Sequence, residues 1–282
     1  MTAASTIEGQ VAVVTGATQG LGEAVARRLA THRPAGLVIC GRRTALGEAL
    51  ARALEARGCP ARFVTADLAQ VAACQRVIEA ADEAFGRLDV LVNCAGLSER
   101  GTILDTDEAT FDRIFALNVR APFFLMQAAA RLMIRDAIEG RMVNIVSMVA
   151  HGGQPFISAY SASKGALATL TRNTAFALMR NRIRVNGLNI GWMNTPGEDR
   201  VQKTFHGADD RWLEVAAAAQ PFGRLLSPDE VASGVEFLAT DASGMMTGSL
   251  IDFDQAIPGC YMAAPQPPEA MTPPAGAVGA DS

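Results

Sequence analysis

The stretch QVAVVTGATQGLG, residues 10–22, decides the fold of this chain. Residues 10–15 are a short β-branched run that predicts a strand. Three glycines follow in a G-x-x-x-G-x-G pattern, and the residues after them have the apolar rhythm of a helix. A strand, a glycine-rich turn and a helix in this order are typical of the start of a βαβ unit. Because glycine allows a tight turn and a helix N-terminus presents free amides, the turn is a candidate phosphate site.

Strand and helix patterns continue to alternate after this unit. Further strands are predicted at 36–41, within 61–69, and at 88–93, 143–146, 182–190 and 248–253. Further helices are predicted at 44–57, 70–85, 107–136 and 158–180, and one more begins after the cap residue Ser227. This alternation predicts an α/β fold, namely a single doubly wound, Rossmann-type domain with a parallel seven-stranded sheet flanked by helices on both faces.

We expect this domain to occupy residues 1–260, since a single domain of this length is ordinary. Residues 192–220 within it look irregular and charged, and we interpret them as a lid over the functional site. Residues 261–282 contain five prolines and little to bury. This composition predicts a disordered C-terminal tail, whose alternative role is docking across a subunit interface.

The composition argues against several classes of function. The net charge is −4 and there is no basic stretch, so nucleic acid is not an expected partner. No apolar run is long enough to span a membrane, and the N-terminus lacks the features of a signal peptide, so we expect a cytoplasmic protein. The five cysteines are scattered and are interpreted as buried free thiols in a reducing compartment. The three histidines have no metal-ligand spacing, so no metal is assigned.

Five chemically suggestive residues directly follow predicted strands. They are Gly16, Arg42, Asp67, Asn93 and Ser147. In a doubly wound sheet the ligands bind beyond the carboxyl ends of the strands. The sequence therefore places these residues at one common binding edge.

Arg42 and Arg43 follow the second strand, where Gly41 stands in the place of an acidic residue. An acidic side chain at that place holds the ribose hydroxyl of NAD, whereas arginine accommodates the 2′-phosphate of NADP. We therefore favour NADP as the cofactor, with NAD as the alternative. A solvated arginine pair at the start of a helix would look the same in the sequence.

Tyr160 is predicted to lie between a hydroxyl and a cation. A strand ends at Ser147, and a glycine-containing loop then leads into the helix that carries Tyr160 and Lys164. A spacing of four residues puts both side chains on one face of that helix. Since a nearby positive charge favours the phenolate, Lys164 is expected to lower the pKa of Tyr160 and make it an acid or base. The alternative is a surface tyrosine beside a solvated lysine.

Asn118 lies in the middle of the predicted helix 107–136, four residues before Pro122. Proline has no amide hydrogen to donate to the Asn118 carbonyl. The helix should therefore be disturbed here, which leaves a backbone acceptor for water. An ordinary polar residue at a kink is the alternative.

These motifs together resemble those of the classical short-chain dehydrogenase/reductase family over residues 7–255. The matching residues are Thr15, Gly16, Gly20, Gly22, Asp67, Asn93, Ala95, Gly96, Asn118, Ser147, Tyr160, Lys164, Asn189, Gly191 and Thr195. Ser147 and Tyr160 are 13 residues apart, as that family requires. The chain departs from the family pattern at Cys94, at Ile190 and at Asp254-Gln255-Ala256.

The resemblance implies an enzyme that moves a hydride between a nicotinamide cofactor and a secondary alcohol or ketone. Tyr160 would be the acid/base and Ser147 would hydrogen-bond the substrate oxygen. Lys164 would lower the Tyr160 pKa and hold the nicotinamide ribose, and Asn118 would anchor a water.

The same resemblance, together with the two arginines, defines the cofactor-binding set. Its members are Gly16, Gln19, Gly20, Leu21, Gly22, Arg42, Arg43, Asp67, Leu68, Asn93, Ala95, Gly96, Tyr160, Lys164, Gly191, Met193 and Thr195. The family's oligomers also imply a homodimer or homotetramer that pairs the helices at 107–136 and 158–180.

The loops at 97–104, 148–157 and 192–220 are expected to recognise a small-molecule substrate. Their side chains are polar, with one indole: Ser98, Glu99, Arg100, His151, Gln154, Trp192, Asn194, Glu198, Asp199 and Arg200. This set favours a small hydroxylated substrate such as a sugar or polyol over a steroid. Side chains that merely face water in open loops are the alternative.

Two other functions stay open. A reductase of 3-oxoacyl groups on acyl-carrier protein would need a basic patch, for which Arg172, Arg180 and Arg182 are weak candidates. Loss of Tyr160 or Lys164 would favour a non-catalytic cofactor-sensing protein, but both residues are present.

Overall fold

A computed structural model describes residues 6–260 and residue 271 of the chain. Its centre is a parallel seven-stranded sheet in the order β3-β2-β1-β4-β5-β6-β7. The strands are β1 (Val11–Val14), β2 (Gly36–Gly41), β3 (Ala61–Thr65), β4 (Val90–Asn93), β5 (Arg141–Ile145), β6 (Arg184–Ile190) and β7 (Leu250–Phe253). The predicted doubly wound α/β fold is confirmed.

Helices connect these strands and cover both faces of the sheet. In the described part of the chain they are α1 (Gly20–Ala30), α2 (Thr44–Glu55), α3 (Val71–Phe85), α4 (Glu108–Phe115), α5 (Ala121–Arg135), α6 (Ser158–Leu178), α7 (Pro196–His206), α8 (Trp212–Ala218) and α9 (Pro228–Ala239). For most of these helices, the bounds predicted from the sequence lie within two or three residues of those in the structure.

The core has two layers because the inner strands of the sheet are buried on both sides, whereas the edge strands β3 and β7 are only partly buried. In β1, Val11 and Val13 belong to the apolar cluster that includes buried residues of α3 and α5, whereas Ala12 and Val14 belong to the cluster that includes those of α1 and α9. Successive side chains of a strand point to opposite faces, so one short strand contributes to both layers. This double burial explains why the strands are continuous apolar runs in the sequence.

The strand order reverses between β1 and β4. β1 pairs with β2 on one side and with β4 on the other, so the connections that leave β1 and β4 diverge over opposite faces. A crevice opens where such connections diverge, at the carboxyl edge of the sheet. All the predicted site residues that follow strands lie at this edge.

The helix predicted at 107–136 is interrupted, as its Asn118–Pro122 spacing indicated. A π-helical turn, Ala116–Arg120, separates α4 from α5 and contains the buried Asn118. The amide of Ala121 donates to the carbonyl of Ala116, five residues back. Pro122 cannot donate an α-helical hydrogen bond to Asn118, which explains the wider turn.

The prediction that residues 192–220 are irregular is wrong, since the segment contains α7 and α8. Thr195 caps α7 by accepting from the amide of Glu198 (3.0 Å), and Pro196 occupies the first helical position. This cap signal resembles the one that correctly predicted α9, where Ser227 and Glu230 form a capping box. The Thr-Pro pair was thus the missed signal.

The cysteine prediction is correct for pairing but only partly for burial. All five cysteines are free, but Cys94 is half-buried and Cys260 is exposed. The predicted tail at 261–282 lies outside the described residues, apart from residue 271. No helix in the described chain is long and apolar enough to cross a membrane.

Candidate active site

One cleft of about 1380 Å³ runs along the carboxyl edge of the sheet. Of the predicted catalytic and cofactor-binding residues, all but two line it: Gly16, Gln19, Gly20, Leu21, Gly22, Arg42, Arg43, Asp67, Leu68, Ala95, Gly96, Ser147, Tyr160, Lys164, Gly191, Met193 and Thr195. The two exceptions, Asn93 and Asn118, are buried behind the cleft wall. The chain therefore brings residues from its whole length to one site.

The glycine turn after β1 forms one end of the cleft and leaves no room for side chains. Gly16 has a φ of +66°, and a Cβ there would lie 2.9 Å from the Cα of Ala95. A Cβ on Gly22 would lie 2.4 Å from the carbonyl oxygen of Gly16. The Thr15 hydroxyl oxygen accepts from the amides of Cys94 (3.0 Å) and Ala95 (3.1 Å), which ties the ends of β1 and β4 together. This close packing exposes backbone to the cleft.

Two helix N-termini face this glycine turn. Gln19 precedes α1, and its side-chain oxygen is buried without a partner among the described residues. A Cβ placed on Gly20 would lie 3.5 Å from Thr195, the cap of α7. Free amides and positive helix ends are suited to a pyrophosphate group. The residues present thus fit the phosphates of a dinucleotide.

The wall after β2 carries positive charge in place of an acid. A Cβ on Gly41 would lie 2.6 Å from the Cγ2 of Thr18, so the side chain of Thr18 occupies the space that an acidic residue would need. Arg43 donates to the carbonyl oxygen and the hydroxyl of Thr18 (3.2 and 3.3 Å). Arg42 and Arg43 are both exposed on the cleft wall. This arrangement fits a phosphate better than a bare ribose.

Tyr160 and Ser147 meet beyond the carboxyl end of β5. Ser147 follows this strand, Tyr160 lies in the first turn of α6, and both residues line the cleft. Lys164 is one helical turn further on, 4% exposed, and its Nζ donates to the carbonyl of Ile145 (2.8 Å). The Lys164 Nζ lies 5.7 Å from the centre of the Tyr160 ring.

The lowered pKa that Lys164 is expected to give Tyr160 is not found in this structure. Burial raises the pKa of Tyr160 above its ordinary value; the hydrogen bond from Ser147 opposes this effect, and the nearby Glu198 carboxylate adds to it. Burial also lowers the pKa of Lys164 to about 8. The helix spacing predicted correctly that the two side chains are neighbours, but not that burial outweighs the charge between them.

Asn118 supports this centre from behind. Its side-chain oxygen accepts from the amide of Leu97 (2.8 Å), and its Nδ2 donates to the Leu97 carbonyl (2.8 Å) and to Ser163 Oγ (3.0 Å). Ser163 in turn donates to the carbonyl of Tyr160 (2.7 Å). The sequence analysis missed Ser163, although its position three residues after Tyr160 on one helix was a usable signal.

The predicted substrate loops divide into two groups. Six of the ten proposed residues line the cleft: Ser98, Arg100, Gln154, Trp192, Glu198 and Arg200. The other four lie outside its lining: Glu99, His151, Asn194 and Asp199. His151 instead contacts Asp252 (2.9 Å), because the short helix that carries it turns toward β7. Asp199 accepts from the Trp212 indole (2.8 Å), so it anchors α8.

Arg100 and Glu198 are the charged pair at this end of the cleft. Glu198 Oε1 accepts from the Trp192 indole (2.9 Å) and from Gln202 (2.7 Å), and it lies 3.4 Å from Arg100 Nη2. Arg100 also donates to His206 (3.0 Å). No cluster of metal-ligating side chains is present in the described chain.

Comparison with known proteins agrees with this geometry. The family profile described as short chain dehydrogenase matches residues 10–205. The chain is 32% identical to a 2-dehydro-3-deoxy-D-gluconate 5-dehydrogenase of Escherichia coli, over 89% of this chain and 96% of the relative. It is 30% identical to a galactitol 2-dehydrogenase of Agrobacterium fabrum, over 88% of this chain and 97% of the relative.

The solved structures show the same fold. A short-chain type dehydrogenase/reductase from Mycobacterium marinum matches with a TM-score of 0.80 and 27% identity, over 89% of this chain and 96% of the other. The sequence match extends over most of the folded chain, and the glycine turn and the Ser147–Tyr160–Lys164 group occur together in one cleft. The chain therefore belongs to the short-chain dehydrogenase/reductase family and is an oxidoreductase that acts on CH–OH groups.

Proposed function

We propose that the protein is an NADP-dependent oxidoreductase that interconverts a secondary alcohol and a ketone, with Tyr160 as the acid/base. One observation carries the proposal: the Tyr160 phenol and the Ser147 hydroxyl line the same cleft as a glycine turn that fits phosphates. A proton donor and a dinucleotide site are thereby held next to each other, as reduction of a ketone requires.

The nicotinamide supplies the hydride when it is bound. Ser147 and Tyr160 hold the substrate oxygen between two hydroxyls, which fixes its distance from the proton that Tyr160 donates. At neutral pH a tyrosine with an ordinary or raised pKa is protonated, so this phenol has a proton to donate to a ketone. Lys164 is fixed by the Ile145 carbonyl, and Asn118 holds the segment after β4 and the start of α6 in register.

The choice of NADP over NAD is supported by the wall after β2. The side chain of Thr18 fills the place where an acidic residue would contact the ribose, and Arg42 and Arg43 lie exposed beside it. A guanidinium attracts a phosphate and offers several N–H donors to it.

The substrate proposal is a small hydroxylated molecule, a sugar or polyol. It is supported by the polar side chains of the cleft and by the two relatives, whose names describe dehydrogenases of a sugar acid and of a polyol. An acyl-carrier substrate is not favoured: Arg180 and Arg182 follow α6 and precede β6, at the opposite edge of the sheet from the cleft, and Arg182 pairs with Glu139.

We also propose a homodimer or homotetramer in the cytoplasm, with residues 192–220 acting as the lid. Phe123 on α5 and Phe176 on α6 are 45% and 78% exposed, and pairing these helices between subunits would remove their apolar rings from water. The free thiols suit a reducing compartment. Helix α7 of this segment faces the cleft through Glu198 and Gln202.

The direct test follows the absorbance of the reduced nicotinamide with purified protein. NADP and NAD are compared separately against polyols, sugars and simple secondary alcohols, and the reduced forms against the matching ketones. We expect turnover of a hydroxylated substrate with NADP at a higher kcat/KM than with NAD. Turnover with NAD alone would contradict the NADP proposal, and no turnover in either direction would contradict the enzymatic one.

A further inference from the structure

Arg100 is held rigidly beside Tyr160 by the backbone. Gly101, the next residue, forms an isolated bridge with Ile157: its amide donates to the Phe156 carbonyl (2.8 Å), and its carbonyl accepts from the Ser158 amide (3.1 Å). Ser158 begins the helix that carries Tyr160 two residues later. Two hydrogen bonds therefore fix the loop that carries Arg100 to the segment that carries the phenol. Burial raises the pKa of Tyr160, and the charge of Arg100 opposes this rise, which agrees with the closeness of the two side chains.

The Arg100 guanidinium has donors to spare. Its Nε donates to His206 (3.0 Å), Nη1 to the Ser98 carbonyl (2.9 Å), and Nη2 lies 3.4 Å from Glu198. An arginine has five N–H donors, so one on each terminal nitrogen has no partner in the described part of the chain. The guanidinium also lies over the Phe156 ring (5.8 Å) and is only 14% exposed. Such a cation is oriented and largely shielded from water.

Glu198 holds Arg100 weakly. The contact with Arg100 is long at 3.4 Å, because the same carboxylate oxygen already accepts two shorter hydrogen bonds, from Trp192 (2.9 Å) and Gln202 (2.7 Å). The carboxylate of a ligand has both oxygens free and could accept hydrogen bonds from the unpartnered N–H groups on the two terminal nitrogens of Arg100, as in a bidentate arginine–carboxylate pair. Glu198 would keep its two other donors.

The cleft is positively charged in an acidic protein. The chain has a net charge of −4, yet the described residues that line the cleft include six cationic side chains and three acidic ones. Arg42 and Arg43 lie at the cofactor end. Arg100, Arg113 and Arg200 remain for the other ligand. The three acidic side chains of the described lining do not neutralise its six cationic ones. This charge distribution fits two anionic ligands better than one.

From this geometry we propose that the substrate carries a carboxylate, which Arg100 binds while the carbinol or carbonyl carbon lies at Tyr160 and Ser147. The inference rests on the proposed function and narrows it: of the sugars and polyols considered there, the site selects the sugar acid. Arg100 is a specificity-determining residue, and Glu198 competes with the substrate carboxylate for it.

The test compares matched pairs that differ only in one group: D-gluconate with D-glucitol, and D-galactonate with D-galactitol. We expect the kcat/KM of the protein with NADP⁺ to be about 10- to 100-fold higher for the aldonate, the value of a charge-assisted hydrogen bond. In Arg100→Met this ratio should fall to within about threefold of unity, and in Arg100→Lys it should lie between. Equal or greater preference for the alditol in the unmodified protein overturns the inference.

Three further measurements separate specificity from structure. Arg52→Met removes the same charge from the exposed face of α2, outside the cleft lining, where Arg52 pairs with Glu48, and it should keep the aldonate preference. Glu198→Gln keeps an acceptor for Trp192 and Gln202 but removes the competing charge, so aldonate KM should fall severalfold. If Arg100 and Glu198 have only a structural role, Arg100→Met and Glu198→Gln should each lower kcat/KM by the same factor for an aldonate and for the matching alditol.

Thermal unfolding in saturating NADP⁺ measures binding of the same compounds without turnover. A larger rise in melting temperature with aldonate than with alditol supports the inference even if no compound is oxidised. Turnover of alditols alone overturns the inference and leaves the proposed function intact. Absence of turnover with every compound, together with aldonate binding, overturns the proposed function alone.

Discussion

The two ends of the cleft are built in different ways. At the cofactor end, Gly16 and Gly22 bring bare backbone to the surface, and a Cβ at either would clash. At the substrate end, side chains form the surface of the cleft: Arg100 and Glu198, 98 residues apart, meet between Trp192 and Phe156. The first end is a consequence of one continuous stretch of sequence. The second exists only after three separate segments have packed together.

The largest expected effect lies where the two ends meet. Tyr160→Phe removes the proton donor and should lower kcat by 10²- to 10⁴-fold, the usual contribution of a positioned acid or base. Binding of NADPH, followed by its fluorescence, should change less than threefold. Tyr261→Phe is the matched control, because the chain has only two tyrosines. Near-normal turnover in Tyr160→Phe would remove Tyr160 from the mechanism.

A methyl group added at the cofactor end tests whether bare backbone is required. Gly16→Ala combines a positive φ with a Cβ 2.9 Å from Ala95, so urea unfolding should show a loss of about 2–4 kcal/mol. NADPH affinity should fall more than tenfold. Gly58→Ala has a φ of +83° but open space around the Cβ, so it should lose only about 1 kcal/mol. Equal losses in the two variants would show that φ alone, not close approach, requires glycine.

The charge on the wall after β2 tests the cofactor choice. Arg42→Gln should weaken NADPH binding by about 10- to 30-fold, because one charge-assisted hydrogen bond to the 2′-phosphate is lost. NADH binding should stay the same. Arg52→Gln removes an equal charge from the exposed face of α2 and serves as the control. If Arg42→Gln weakens NADH and NADPH equally, the NADP proposal is wrong.

The smallest effect concerns Lys164 and stability. Burial lowers its folded-state pKa to about 8, below its ordinary value of 10.5. The unfolded chain therefore binds this proton more tightly than the folded protein does. Below pH 8 the ammonium is charged in both states, and its burial lowers the stability by the full amount; this loss disappears as the pH rises to 10.5. The melting temperature of the unmodified protein, relative to Lys164→Met, should rise by a few °C between pH 8 and 10.5.

Lys203→Met is the control for this titration, since the chain has only one other lysine. Asp210 and Asp199 raise the pKa of Lys203, so its contribution to stability is present up to about pH 10.5 and is lost only above. The difference between unmodified protein and Lys203→Met should therefore be flat from pH 8 to 10.5. If the melting temperatures of Lys164→Met and of the unmodified protein change by the same amount between pH 8 and 10.5, the lowered pKa of Lys164 is contradicted.

Most of the fold and the cofactor end could be predicted from sequence patterns. The inner strands were recognised because they are buried on both faces and therefore form continuous apolar runs, and α9 was recognised by its Ser-Pro-x-Glu cap. The π-helical turn followed from the spacing of Asn118 and Pro122. In contrast, α7 and α8 were missed. Most residues of α7 are polar and only the Thr-Pro cap marks its start, and α8 has only seven residues, too few to show a helical period.

The sequence alone settled what depends on a few neighbouring residues: the alternation of strands and helices, the positions of the turn glycines, and the shared helix face of Tyr160 and Lys164. Backbone geometry fixes these relations over one or two turns. The direction of the Tyr160 pKa and the meeting of Arg100 with Glu198 were settled only by tertiary packing. Burial and the pairing of distant charges depend on which segments surround a group, and no local spacing contains that information.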